Sequence, residues 1–318
     1  MAEPRVVDRP GPADLEQAWE VVGKHLRPTP VSTVHPPGTP AMTLKLENLQ
    51  PTGAFKVRGA LAALAALDPD TEVVTASAGN HALGIAHAAT ALGRRATVVT
   101  ATTASPAKVE AIRAYGIDLV QAGTSYDDAE AHALDLAARG ARYVSAYNDT
   151  HVIAGQATIG RELDTQVDGP LTVVCGVGGG GMASGLALWA AGRDDVRVVG
   201  VEAAASTATS ASVAAGTVVD VEIGDTIADG LAGGIEPGSV TVPILAELGV
   251  ELITVTEDEL RTGLRYLAGA RNVLAEGAGA AAAAAVLAGK VEPSGTVVAV
   301  VSGGNIALPL LADVLAGS

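Results

Sequence analysis

Apolar residues at Leu15, Ala18, Val21, Val22 and Leu26 recur at helical spacing and predict a helix over residues 13–26, ended by the Pro28 and Pro30 pair. Residues 42–47 alternate and predict a strand, followed by a mostly Ala and Leu helix over 59–67. From there the pattern changes regularly between short β-rich runs and helical stretches. Strands are predicted at 72–76, 96–100, 117–121 and 141–144, with an Ala-rich helix after residue 80 and helices at 106–115 and 126–139. The second half repeats the theme, with helices at 152–163, 183–191, 258–267 and 278–288 and strands at 171–175, 196–201, 252–255 and 296–301. Residues 203–239 are rich in Ala, Ser, Thr and Gly and read as loops and short helices around a site. Such alternation predicts an α/β protein with twisted, mostly parallel sheets flanked by helices.

Composition narrows the class. The 318 residues suffice for one large or two ordinary domains, and 48% are hydrophobic while only 3% are aromatic. The core must therefore be built from Ala, Val, Leu and Ile. A net charge of −15 without a basic stripe argues against a nucleic-acid partner. The lone Cys175 lies in an apolar run and fits a buried small hydrophobe in a reducing compartment. Residues 1–12 have no apolar signal-peptide core, and the Ala-rich run at 278–288 is too short to span a bilayer, so a cytoplasmic protein without membrane association is expected.

The chemistry is concentrated in a few short stretches. Lys56 stands between a turn containing Thr52 and Gly53 and the start of an apolar helix, next to Phe55, the only phenylalanine. Burial and the positive end of the helix dipole both favour its neutral amine, which can attack an aldehyde. Three strand-to-loop junctions are rich in glycine or small residues, at 77–81, 176–182 and 302–305. In parallel sheets ligands bind at the carboxyl ends of strands, so all three can face one site. The run Gly178, Gly179, Gly180 and Gly181 before a helix offers backbone N–H groups to a phosphate. Gly176, Gly178 and Gly181, with Glu202 about 20 residues on, also meet the dinucleotide fingerprint. An NAD-binding oxidoreductase is therefore the competing reading from that loop, although it leaves Lys56 and the other two loops unexplained.

Taken together, the segments 52–60, 77–82, 178–181, 226–230 and 302–305 resemble the fold-type II (tryptophan synthase β-like) pyridoxal-phosphate enzymes, and within them the threonine/serine dehydratase and serine racemase group. The resemblance implies two domains, a large cofactor-binding one from residues 1–71 and 149–318 and a small α/β one from 72–148. It implies that Lys56 binds pyridoxal 5'-phosphate as a Schiff base and moves the Cα proton. Gly178, Gly179, Gly180, Gly181 and Met182 would give N–H groups to the phosphate. Phe55 would pack on the ring, Asn80 would bond its 3-hydroxyl oxygen and Ser302 would face the pyridine nitrogen. Ser77, Ala78, Asn80 and His81 would line the substrate site, with the carboxylate held by Ser77, Asn80 and His81, partly through backbone N–H groups.

Departures from the family pattern refine the expectation. Racemases of this group have a second serine where this chain has Ala78, which cannot donate a proton. Members with a divalent metal have an aspartate six residues after the glutamate, where Glu202 is followed by Ala208. No Mg²⁺ is expected; Glu202 with carbonyls is the candidate site for a monovalent ion. Since the chain ends at Ser318, the resemblance implies a catabolic dehydratase without a regulatory domain. Asp149 is expected to cap a helix, and Glu276 to lie near the cofactor ring. The expected activity is dehydration of L-threonine or L-serine, with 3-hydroxyaspartate dehydration as the alternative within the fold and a homodimer or homotetramer as the assembly.

Overall fold

Valine-rich runs form the centre of the chain's larger sheet because β-branched side chains pack well on a pleated surface covered on both faces. The computed structural model describes residues 5–317. Its strands are β1 (Val31–Val34), β2 (Met42–Lys45), β3 (Val73–Ala76), β4 (Ala96–Thr100) and β5 (Asp118–Gln121). They continue as β6 (Arg142–Tyr143), β7 (Leu171–Gly176), β8 (Val196–Ala203), β9 (Glu251–Val255) and β10 (Thr296–Val300). The helices are α1 (Pro12–His25), α2 (Lys56–Ala65), α3 (Asn80–Leu92), α4 (Pro106–Arg113), α5 (Tyr126–Ala138) and α6 (Thr150–Gln166). They are followed by α7 (Gly181–Ala190), α8 (Ala208–Ala215), α9 (Thr241–Glu247), α10 (Glu257–Arg265), α11 (Gly277–Leu287) and α12 (Leu308–Ala316).

Two sheets result. One has six strands in the order β1-β2-β10-β7-β8-β9, parallel except for the β1–β2 pair. The other has four parallel strands in the order β5-β4-β3-β6. All four strands of the smaller sheet come from one continuous stretch of chain. Its core nevertheless reaches back: Val57, Leu61 and Leu64 of α2 and Val22 of α1 pack in one cluster with Val73, Ile85 and Val98.

Every residue of α11 from Gly277 to Val286 is buried, which only a helix of Gly and Ala could achieve so close to a sheet. It packs with Val174, Val199, Val201 and Val297 in the core of the larger sheet.

Most of the predicted elements are present within two or three residues of their expected ends. The differences are instructive. β1 was not expected, because Ser32 and Thr33 are exposed on an edge strand and no apolar alternation marks it. α9 and α12 were also unexpected. The helix expected over 258–267 ends at Arg265 and runs on as a π-turn at Tyr266–Ala270. No helix among the described residues is long and apolar enough to cross a membrane.

Candidate active site

The segment that precedes α2 is pinned to the loop after β10. The Phe55 N–H donates to the Ser302 carbonyl (3.0 Å), the Gly304 N–H to the Gly53 carbonyl (2.9 Å), and Ala54 bridges Gly303. Lys56 is therefore the first residue of a helix whose start is fixed beside the 302–305 loop. Its amine is partly buried and donates to the Ala146 carbonyl at 2.8 Å, 5.1 Å from the centre of the Phe55 ring. Burial lowers its pKa to about 8, with Glu276 opposing the shift. The neutral amine inferred from the sequence thus has a structural cause.

The loop after β7 is shaped by its glycines. A Cβ on Gly179 would stand 2.4 Å from the Tyr147 ring, and one on Gly181 2.9 Å from the Tyr147 backbone. Gly180 has φ +83°, a left-handed conformation that favours glycine. Two threonines turn the loop's carbonyls away from the site: Thr209 donates to Gly178 O and Thr241 to Gly179 O at 2.9 Å. The N–H groups of Gly178, Gly179, Gly180, Gly181 and Met182 have no acceptor among the described residues. Five free donors at a helix N-terminus form a cradle for an anion such as a phosphate.

At the third loop, the Asn80 amide donates to Glu276 Oε1 at 2.6 Å and accepts from Asn305 Nδ2 at 2.7 Å. Asn305 also donates to the Thr52 carbonyl at 2.8 Å, closing a ring between all three segments. Burial raises the Glu276 pKa to about 7, against the Asn80 hydrogen bond, which lowers it. One N–H of the Asn80 amide stays available for a further acceptor. Ser302 is buried, and its hydroxyl makes only a long 3.4 Å contact to the Ala278 carbonyl, so its proton is free to turn. Ser77 accepts from the Gly79 N–H at 3.1 Å, and the N–H groups of Asn80, His81 and Ala82 at the start of α3 have no acceptor among the described residues.

The structure shows what the His81 and Glu202 side chains are bonded to. The His81 imidazole does not point to a substrate carboxylate: it is 3% exposed, and its Nε2 meets the Val144 carbonyl at 3.1 Å. Burial, helped by Lys56, lowers its pKa to about 3, so the ring is neutral and only the His81 backbone N–H belongs to the anion-binding helix start. Glu202, the candidate ion ligand, instead caps α8. Its oxygens accept the N–H groups of Thr209 (2.9 Å) and Ser210 (3.2 Å), because β8 ends directly beneath that helix start. Asp149 caps α6 as expected, accepting from His151 and Val152.

Tyr147, Thr209 and Thr241 had not been singled out. Their contacts to the site come from loops and helices distant in sequence, and no local pattern marks them.

A lysine with a lowered pKa, a five-donor anion cradle and a second anion-binding helix start, all at strand carboxyl ends, define an α/β enzyme built around a phosphorylated aldehyde cofactor. The comparisons with known proteins agree: residues 22–303 match the model of the family described as "Pyridoxal-phosphate dependent enzyme", and the chain belongs to that family, with the fold-type II architecture.

The chain is 41% identical over 270 residues to the L-threonine ammonia-lyase of Geobacter sulfurreducens, covering 82% of this chain and 66% of that protein. Thus it spans about two thirds of that relative's length. Among solved structures, maize serine racemase superposes with a TM-score of 0.88 at 28% identity, covering 98% of each chain. The T.th. threonine deaminase gives 0.85 at 34% identity, covering 94% of this chain and 99% of that one.

Proposed function

We infer that this chain is a pyridoxal-phosphate-dependent threonine/serine dehydratase, an ammonia-lyase that converts a hydroxy amino acid to a 2-oxo acid and ammonia. The observation that carries the reading is the partly buried Lys56 amine, bonded to the Ala146 carbonyl beside Tyr147, on which the 178–182 loop packs, while α3, whose first N–H groups are free, packs against the Lys56 backbone. One anion-binding point suits the cofactor phosphate and the other the substrate carboxylate. When bound, pyridoxal phosphate supplies an electron sink for the bond broken at Cα.

The chain's own residues do the rest. Lys56 Nζ is the group that would hold the cofactor aldehyde, and its free amine is the base that would take the substrate's Cα proton. The loop N–H groups, Met182 included, would hold the phosphate, Phe55 would lie against the ring, and Asn80 would meet the 3-hydroxyl oxygen with its spare N–H. A neutral Ser302 hydroxyl does not keep a proton on the pyridine nitrogen, which favours prompt loss of the β-hydroxyl. That hydroxyl leaves as water, and water later replaces the nitrogen, releasing ammonia. Ala78, with no proton to give from the opposite face, disfavours racemisation. Residues 72–148 are read as the small domain over this site, and a homodimer or homotetramer in the cytoplasm as the working form.

The test is an absorbance spectrum of the purified protein followed by L-threonine and L-serine with detection of 2-oxo acid. A violet-absorbing protein that forms 2-oxobutyrate or pyruvate is expected. Violet absorbance with no product from either would redirect the substrate to another β-substituted amino acid such as 3-hydroxyaspartate. A protein that cannot take up pyridoxal phosphate would overturn the reading.

A further inference from the structure

Four charged side chains are buried behind the helix that carries Lys56, and the reaction described above uses none of them. Arg58 and Lys45 are 0% exposed, Glu47 is 0% and Glu162 is 3%. Arg58 grips Glu47 with two parallel bonds, Nε to Oε2 at 2.7 Å and Nη2 to Oε1 at 2.8 Å. Its Nη1 reaches Glu162 Oε1 at 2.7 Å and Thr158 Oγ1 at 3.1 Å. Lys45 bonds the other Glu162 oxygen, and also the Thr29 carbonyl and Gln166 Oε1, both at 2.8 Å. Two positive and two negative charges balance. Arg58 is held above its ordinary pKa by both carboxylates against the cost of burial, and burial lowers the pKa of Lys45.

Such a cluster is a poor choice if stability alone is wanted. Desolvating four charges roughly cancels their attraction, and apolar packing of the same volume often does as well or better. What an ion cluster does well is fix one geometry. The helix needs that. α2 meets its neighbours through glycines: a Cβ on Gly84 would lie 3.1 Å from the Lys56 carbonyl, one on Gly155 2.6 Å from the Arg58 carbonyl, and one on Gly59 2.9 Å from the Val152 carbonyl. On these faces close approach replaces interdigitating side chains, which leaves the apolar side of α2 at Val57, Leu61 and Leu64 as its other packing contact. A slip along the axis by one residue's rise, about 1.5 Å, would carry the Lys56 amine with it. Arg58 lies two residues after Lys56, roughly 200° around the helix, so its fork holds the side facing away from the site.

We propose that the buried Lys45–Glu162–Arg58–Glu47 cluster is a positioning device for Lys56, fixing the axial register and rotation of α2 so that the amine meets the cofactor aldehyde and the substrate Cα. The proposal rests on the reading of Lys56 as the cofactor-binding lysine. It makes Arg58, Glu47 and Glu162 positioning residues of the reaction, although none of them contacts the site. Lysine cannot replace Arg58, because one ammonium cannot span Glu47 in parallel and still reach Glu162.

The experiment compares wild type, Arg58→Lys and Glu162→Gln, each purified with its cofactor. Thermal unfolding and cofactor content are recorded first, then kcat and KM per cofactor-loaded site, and the pH midpoint of the violet band of the lysine-linked cofactor. The expected result for Arg58→Lys is a loss of about 10–100-fold in kcat with KM changed less than about threefold, and a midpoint displaced by about half a pH unit or more. Glu162→Gln, which keeps shape and one acceptor, should move the same quantities in the same direction by less. Loaded variants with the wild-type kcat and midpoint would overturn the proposal, as would a loss fully explained by lower cofactor content. If Arg58→Lys does not fold, the same criteria applied to Glu162→Gln decide. A wild-type protein without the violet band would overturn the functional reading itself, a result distinct from either.

Discussion

Lys56 has to be a nucleophile toward an aldehyde and then a base at carbon, and both tasks need an uncharged amine near neutral pH. Burial moves it that way by lowering the pKa to about 8, so that about a tenth of the amine is uncharged at pH 7. In the cofactor-free protein, the rate at which Lys56 bonds pyridoxal phosphate should rise through pH 8 and level off above it, falling about tenfold per pH unit below; stopped-flow absorbance measures this. Lys56→Ala should abolish both the violet absorbance and turnover, and retained turnover would remove the lysine from the mechanism. Ala78→Ser restores a proton donor on the opposite face and should introduce measurable racemisation of serine, read by chiral chromatography. Glu276 gives a stability prediction. Its folded pKa of about 7 lies above its ordinary value, so the folded protein binds the extra proton and loses stability as pH rises through that interval. Glu276→Gln should therefore gain stability relative to wild type between about pH 4.5 and 7, by up to about 3 kcal/mol. Urea unfolding of the cofactor-free proteins across that range checks both sign and size.

The decisive element is the β7–α7 junction. Three features act together there: glycines that admit Tyr147, threonine hydroxyls that hold the carbonyls away, and a helix start that leaves its N–H groups free. Gly179→Ala would bring a methyl group to 2.4 Å from the Tyr147 ring and should weaken pyridoxal-phosphate binding about tenfold or more, because the loop must move to relieve the clash. Thr241→Val removes the bond to the Gly179 carbonyl without changing size and should weaken binding severalfold, about 1 kcal/mol. Equilibrium titration by absorbance measures both, and an unchanged dissociation constant in Thr241→Val would mean the loop holds its shape without that tether. The same loop shows how a local motif misleads. Gly176, Gly178 and Gly181 followed by Glu202 fit the dinucleotide pattern, yet Glu202 is occupied with the N–H groups of α8.

On the scale of the whole molecule, the site is assembled from both sheets. The larger gives the 178–182 and 302–305 loops and the smaller gives the start of α3, with Asn80 bonded to Glu276 and Asn305 of the larger. A cofactor bound there ties the two together. Saturating pyridoxal phosphate should therefore raise the unfolding midpoint of the whole chain by about 5 °C or more, as a single transition. Separate transitions that move independently would mean that the sheets are not joined through the site. The exposed Lys108–Asp229 pair, 3.4 Å apart, also links α4 to the 229–231 segment, but with side chains about half exposed or more it should add little to stability.

Some of this was legible in residue order alone, because the physics is local. Helical and strand periodicity, the turn at Gly53, a lysine at a helix start and a glycine run between strand and helix are each decided within a few residues. Together they marked the α/β fold and singled out Lys56, while the cofactor class followed from the family resemblance of the five segments taken together. The orientation of His81 and the task of Glu202 were decided by partners elsewhere. A histidine in a site motif faces the core because Val144 offers it a carbonyl, and a glutamate at a strand end caps the helix placed above it. The buried charges behind α2 were beyond sequence reading for the same reason. Lys45 finds Glu162 117 residues away, and Asn80 finds Glu276 196 residues away. Periodicity records which face of an element is apolar, whereas the pairing of distant polar groups exists only once the sheets and helices have packed.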